Sequence, residues 1–113
     1  MRRTALAVMA GYYVASGAWP IVHMRSFEAV TGPKTDHWLV KAVAALAIAN
    51  GLALAFGARR EKIAAETAAL AVCSAMAFTV VDVVFVMRGR IRPIYLADAA
   101  AELALAAAIV AAD

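Results

Sequence analysis

The sequence has 113 residues, of which 65% are hydrophobic and 17% are charged, and its formal net charge is +3. A soluble domain averages about 45–50% apolar and about 25% charged residues, so this composition argues against a soluble globular domain. The charged residues cluster between long apolar stretches, which is typical of membrane spans, and basic residues at span ends anchor helices to headgroups rather than indicating nucleic-acid binding.

The first predicted helix contains Pro20, which removes a backbone donor and should kink the helix. Two arginines and an apolar run after Met1 resemble a signal peptide. The run is longer than a typical signal core and further spans follow, so we interpret it as a retained helix. The helix is expected to continue to Val30 as an interfacial turn, and Gly32 and Pro33 are expected to end it.

Three further helices follow, separated by short polar loops. Thr35 is the expected N-cap of the second, and Pro93 suits the first turn of the fourth. Short loops make sequence neighbours antiparallel, so we predict an all-α, integral membrane, four-transmembrane-helix bundle with up-down-up-down topology, in a single domain over 1–113. The predicted spans cover about residues 4–24, 36–56, 63–87 and 93–112.

Polar residues concentrate where the end of helix one, the start of helix two, the end of helix three and the start of helix four should meet. Glu102 lies roughly 15 Å along its helix from Arg92, close to the midplane of a core about 30 Å thick. An acid at that depth needs a partner, water or a proton, and is a functional candidate by default. We predict a ligand-binding cavity formed by Trp19, His23, Asp82, Tyr95, Asp98 and Glu102.

Helical spacing favours a shared site. Tyr95, Asp98 and Glu102 follow i, i+3 and i+7 steps on one stripe of helix four. A second stripe, on helix one, follows alternating steps of four and three residues through Tyr12, Ser16, Trp19, His23 and Ser26. The alternatives are structural: an interfacial hydrogen bond for His23, an aromatic-belt position for Trp19, and ion pairing of Asp82 with Arg88, Arg90 or Arg92.

The segment between helices one and two is rich in charge. Arg25, Glu28, Lys34 and Asp36 suit a lid or gate over the cavity mouth. The same residues suit a salt-bridged connection that fixes helix one against helix two, and this interpretation is slightly favoured.

No cofactor is predicted. One imidazole and three carboxylates at His23, Asp82, Asp98 and Glu102 would suit Mn, Fe or Zn, but they form no metal-binding sequence motif. The sequence also lacks a P-loop, a dinucleotide glycine pattern, a nucleophile elbow and a CxxC pair. Its single cysteine, Cys73, excludes an intrachain disulfide.

The stretch from Trp19 to Lys41 resembles a group of small uncharacterised bacterial four-helix membrane proteins. The resemblance covers about a fifth of the chain and implies no activity, but it implies a multi-pass position in a bacterial inner membrane. Size and charge are also similar to those of small multidrug-resistance transporters. Those rely on an acid within the first helix, whereas here no acid precedes Glu28, which argues against membership.

Three functions remain open on the sequence alone. The first is binding or transport of a cation, a proton or a cationic, amphipathic small molecule through the buried acids. The second is an accessory or assembly subunit, with a homo-oligomer or a larger membrane partner. The third is a membrane enzyme acting on a lipid-like substrate. Five Lys and Arg residues on one side oppose six on the other, so the positive-inside rule sets no orientation.

Overall fold

The computed structural model describes residues 2–111, and all regular structure in that range is α-helical. The all-α prediction is therefore confirmed. The predicted end of the fourth span at 112 and the domain limits at 1 and 113 lie outside the described residues. The helices are α1 (Arg2–Val22), α2 (Met24–Thr31), α3 (His37–Ala58), α4 (Ala65–Met87) and α5 (Tyr95–Ala111).

The described chain has one helix more than the sequence predicted, because the first predicted element is divided at His23. His23 has φ −149° and ψ 81°, which is not helical, and its Nδ1 accepts a hydrogen bond from the Ser26 amide at 3.2 Å. This is an N-cap arrangement, which satisfies a free amide at the start of a new helix. The expected interfacial turn is thus a separate helix of eight residues.

The helices are associated as two closely packed pairs, α1 with α3 and α4 with α5, which contact each other through α1–α5 and α3–α4. Glycine permits the closest approach. A Cβ atom added at Gly17 of α1 would lie 2.6 Å from the Ala44 carbonyl oxygen. One added at Gly51 of α3 would lie 2.8 Å from the Ala10 carbonyl oxygen. Both distances are too short for a real side chain, so these glycines set the α1–α3 separation.

The apolar core occupies the end of the bundle where α1 begins and α3 ends. Leu6, Met9, Leu54 and Ile109 are its largest fully buried aliphatic side chains. Ala71, Ala75 and Ala106 join them in one contiguous cluster. Alanine keeps α4 and α5 close, as small residues do between helices in lipid.

Three helices, α1, α3 and α4, are long and apolar enough to cross a membrane. The described part of α5 has 17 residues, about 25 Å at 1.5 Å per residue. Large apolar side chains are exposed on these helices, among them Trp38 at 69% and Phe56 at 73%.

Candidate functional site

Three acidic side chains meet at one cavity of about 360 Å³, at the opposite end of the bundle from the apolar core. Asp82 comes from α4, and Asp98 and Glu102 come from α5. The rest of the lining is contributed by the second half of α1, Phe27 of α2, Lys34, the first half of α3, Phe78 of α4 and Tyr95 of α5. The structure thus places five of the predicted residues on one cavity: the ligand-binding candidates Asp82, Tyr95, Asp98 and Glu102, and the lid candidate Lys34.

Two adjacent tyrosines of α1 hold the acids of α5. The Tyr13 hydroxyl donates to Glu102 Oε1 at 2.7 Å, and both residues are 1% exposed. The Tyr12 hydroxyl donates to Asp98 Oδ1. Asp98 and Glu102 are four residues apart and lie on one face of α5, so a Tyr-Tyr pair can reach both. Sequence reasoning placed Tyr12 on the polar stripe of α1 but missed Tyr13, and the consecutive phenols within a span were the available signal.

Asp82 differs from the other two acids because it has an oxygen without a partner. Asp82 is 3% exposed, and its Oδ2 forms no hydrogen bond within residues 2–111. It lines the same cavity as the carboxyl groups of Asp98 and Glu102. An unsatisfied buried oxygen costs about 1–3 kcal/mol, so Asp82 Oδ2 is an acceptor whose hydrogen bond is not made within the described residues.

The expected alternative for Asp82, an ion pair with Arg88, Arg90 or Arg92, does not form. Across residues 2–111, Asp82, Asp98 and Glu102 make no salt bridge with a basic side chain. The basic group on the cavity wall is Lys34, whose Nζ donates to the carbonyl oxygens of Thr31 at 3.1 Å and Gly32 at 3.0 Å. Lys34 Nζ also lies 5.2 Å from the Tyr95 ring centroid. The Lys34 ammonium group therefore caps the C-terminal end of α2 and forms no salt bridge with the acids.

The structure does not bring His23 to the acids, contrary to the predicted convergence. Its ring is exposed and lies 2.7 Å from Ser26 Oγ, at the start of α2. The helix break at His23 is the physical reason, because it ends the helical stripe that should have carried the ring inward.

Trp19 faces a neighbouring cavity of about 630 Å³, which shares Tyr95 and Asp98 with the first. Its Nε1 donates to Ser26 Oγ at 2.8 Å. The indole ring packs edge-on against Phe27 at 5.4 Å between centroids. Trp19 therefore joins α1 to α2 at the rim of the acid cluster.

In the segment predicted as a lid or connection, the Glu28 side chain links α2 to the α2–α3 loop and to the start of α3. Glu28 Oε2 accepts from the Lys34 backbone amide at 2.7 Å and lies 3.1 Å from His37 Nε2. Arg25 lines a shallow surface depression with Glu28 and His37, and Asp36 occupies the N-cap position of α3 without a side-chain cap bond. Arg92 Nη1 donates to the Ala29 carbonyl oxygen at 3.2 Å, which links α2 to the loop before α5.

The pKa of Glu28 is lowered chiefly by the hydrogen bond from the Lys34 amide and then by that from His37. A carboxyl group with a lowered pKa stabilises the folded segment above its ordinary pKa, and that contribution is lost as pH falls through the lowered value. We expect the Lys34 amide proton shift in micelles to titrate below the usual glutamate range. Glu28→Gln should abolish this titration, whereas Glu61→Gln, in the distant α3–α4 loop, should leave it unchanged. A midpoint at the ordinary glutamate pKa would contradict the hydrogen bond between the Lys34 amide and the Glu28 carboxylate.

The four residues that the sequence offered as a possible metal set do not come together, because His23 lies away from the cavity that the three acids line. Among residues 2–111, no three His, Cys, Asp or Glu side chains are placed to hold a metal ion. Because His23 lies away from the cavity, the polar groups of the cluster are three carboxyl groups and the phenol groups of Tyr12 and Tyr13.

Comparison of the chain with protein-family models, with curated proteins and with solved structures finds no match.

Proposed function

We propose that this chain is a membrane protein with four spans, α1, α3, α4 and α5, that binds a small organic cation with an apolar part. The three long apolar helices and the exposed aromatic and aliphatic side chains support insertion, because lipid tails cover such a surface without cost. The short connections support antiparallel neighbours. The α2 helix would then lie at one membrane face, over the cavity.

The unpartnered, buried Asp82 oxygen on the cavity wall is the observation that carries the proposal. A cation entering the cavity would give that oxygen its missing partner. Most of the remaining wall is apolar, with Pro20, Phe27, Val43 and Phe78 among its residues. The volume of about 360 Å³ falls in the range of about 300–1,000 Å³ typical of small-molecule sites. An apolar wall with a few carboxyl groups favours an amphipathic cation over a bare ion.

Binding of benzyltrimethylammonium to the purified protein in micelles, followed by calorimetry at neutral pH, tests this function. We expect saturable binding that weakens about tenfold in Asp82→Asn, a loss of about 1.4 kcal/mol. Glu66→Gln is the matched control, because Glu66 is an exposed acid in the first turn of the same helix. Benzenesulfonate, of similar size and opposite charge, should not bind. Equal affinity for the two compounds, or for wild type and Asp82→Asn, would refute the proposal.

A further inference from the structure

The carboxyl groups of Asp82, from α4, and Asp98, from α5, line the same cavity of about 360 Å³. Asp82 is 3% exposed, its Oδ2 has no hydrogen-bond partner within residues 2–111, and neither acid forms a salt bridge there. Two unpaired negative charges on the wall of one small, largely apolar cavity repel each other and are poorly solvated. The geometry therefore favours one proton held by this pair of acids, as in other carboxyl pairs that share a site.

No basic side chain within residues 2–111 forms a salt bridge with either acid of the pair. From α1, Tyr12 donates to Asp98 and Tyr13 lines the cavity, and from α5, Tyr95 and Glu102 line it. From the α2–α3 connection, Lys34 lines the cavity, but its ammonium group is bonded to two backbone carbonyl oxygens. The residues that α3 contributes to the wall are apolar and carry no titratable group: Leu39, Val40, Val43, Ala44 and Ala47.

We propose that the Asp82–Asp98 pair exchanges one bound proton for one organic cation. When the cation enters, the O–H bond of the protonated carboxyl group breaks and the proton passes to water. The second carboxylate thus formed balances the charge of the ligand. One positive charge enters and one leaves, so the net charge of the cavity does not change. This inference rests on the proposed function and adds what the site releases on binding.

Charge balance is the physical reason for an exchange. A cation added to a protonated pair would bring an extra charge into a low-dielectric site, and a pair that lost its proton before the cation arrived would hold two adjacent negative charges. Both states carry a large desolvation cost. Coupling the two steps avoids each of them, because every state then contains the same charge.

The proton count is measurable by titrating benzyltrimethylammonium into the wild-type protein in two buffers of different ionisation enthalpy. The dependence of the binding enthalpy on the buffer gives the number of protons released, and we expect about one per bound cation. Linkage then requires Kd to fall about tenfold for each unit rise in pH near neutrality. Infrared difference spectra should show the carbonyl band of a protonated carboxyl group disappearing when the cation binds.

Variants separate the pair from other acids. Asp82→Asn leaves Asp98 without a second carboxyl group, so at saturating cation this variant should release no proton and lose the infrared band. Glu66→Gln should behave as wild type. The count on the wild-type chain needs no variant, so misfolding of Asp82→Asn would not remove the test. Cation binding without proton release would overturn the exchange and leave the proposed function standing, whereas absence of cation binding would overturn both.

Discussion

Gly51→Val should lower the free energy of unfolding by about 3 kcal/mol, at the upper end of the usual range for overpacking. An added Cβ would lie 2.8 Å from both the Ala10 carbonyl oxygen and Val14 Cγ2. A backbone oxygen cannot rotate away, so α1 and α3 must separate along their whole contact. The loss should appear as an earlier transition when the protein in micelles is unfolded by SDS or by heat and followed by circular dichroism.

Gly11→Val is the matched control for this prediction. Gly11 is also a helical glycine, in α1, but nothing lies within 4 Å of the position its Cβ would occupy. The same residue change is made there without the clash, so its effect should stay within about 0.5 kcal/mol. If both variants lose equal stability, the close α1–α3 approach at Gly51 is wrong.

Tyr13→Phe should destabilise the protein by about 1–3 kcal/mol, because it removes a hydrogen-bond donor from the carboxyl group of Glu102, a residue that is 1% exposed. The phenyl ring remains, with its edge-on packing against Phe78, so the loss reports on the hydroxyl group. Removing both polar partners in Tyr13→Phe/Glu102→Leu should recover most of the stability, since no buried acceptor is then left unpaired.

Tyr95→Phe is the control for the hydroxyl deletion. Tyr95 lines the same cavity, but its hydroxyl forms no hydrogen bond within residues 2–111. Its loss should change the stability by less than about 0.5 kcal/mol. Equal effects of Tyr13→Phe and Tyr95→Phe, or no recovery in the double variant, would show that the Tyr13–Glu102 bond does not hold α1 to α5.

The acid cluster was predictable from the sequence, because residue spacing gives both the depth of a side chain along its helix and the face of the helix on which it lies. Asp98 and Glu102 are a helical turn apart and far from the charged loop, so they had to lie on one inward stripe. Asp82 lies six residues before Arg88, near the end of α4, so its depth in the bundle follows from the same count of residues. Short loops and apolar length likewise predict the bounds of the long helices to within about two residues, the usual uncertainty of helix ends.

The rest of the site depends on local geometry that the sequence pattern does not encode. His23 was extrapolated along a continuous helix, whereas its own side chain caps a new one and so ends the periodicity. Tyr13 stands one residue from the chosen stripe, and only the packing of α1 against α5 shows that both phenols face acids. Lys34 was expected at a gate, but its bonds to the last carbonyl groups of α2 depend on how the chain turns at Gly32, where φ is 103°.

The division of the bundle into a filled half and a hollow half limits what can pass through it. Below the acids, the interior is closed by Leu6, Met9, Leu54 and Ile109, each at most 1% exposed. A charged solute that reached Glu102 would find a sealed floor, since an ion cannot enter hydrocarbon without an opposing charge or water. Under the proposed function, a ligand would enter and leave the cavity from the same end of the bundle in this conformation, and transfer to the other membrane face would require this buried apolar cluster to separate.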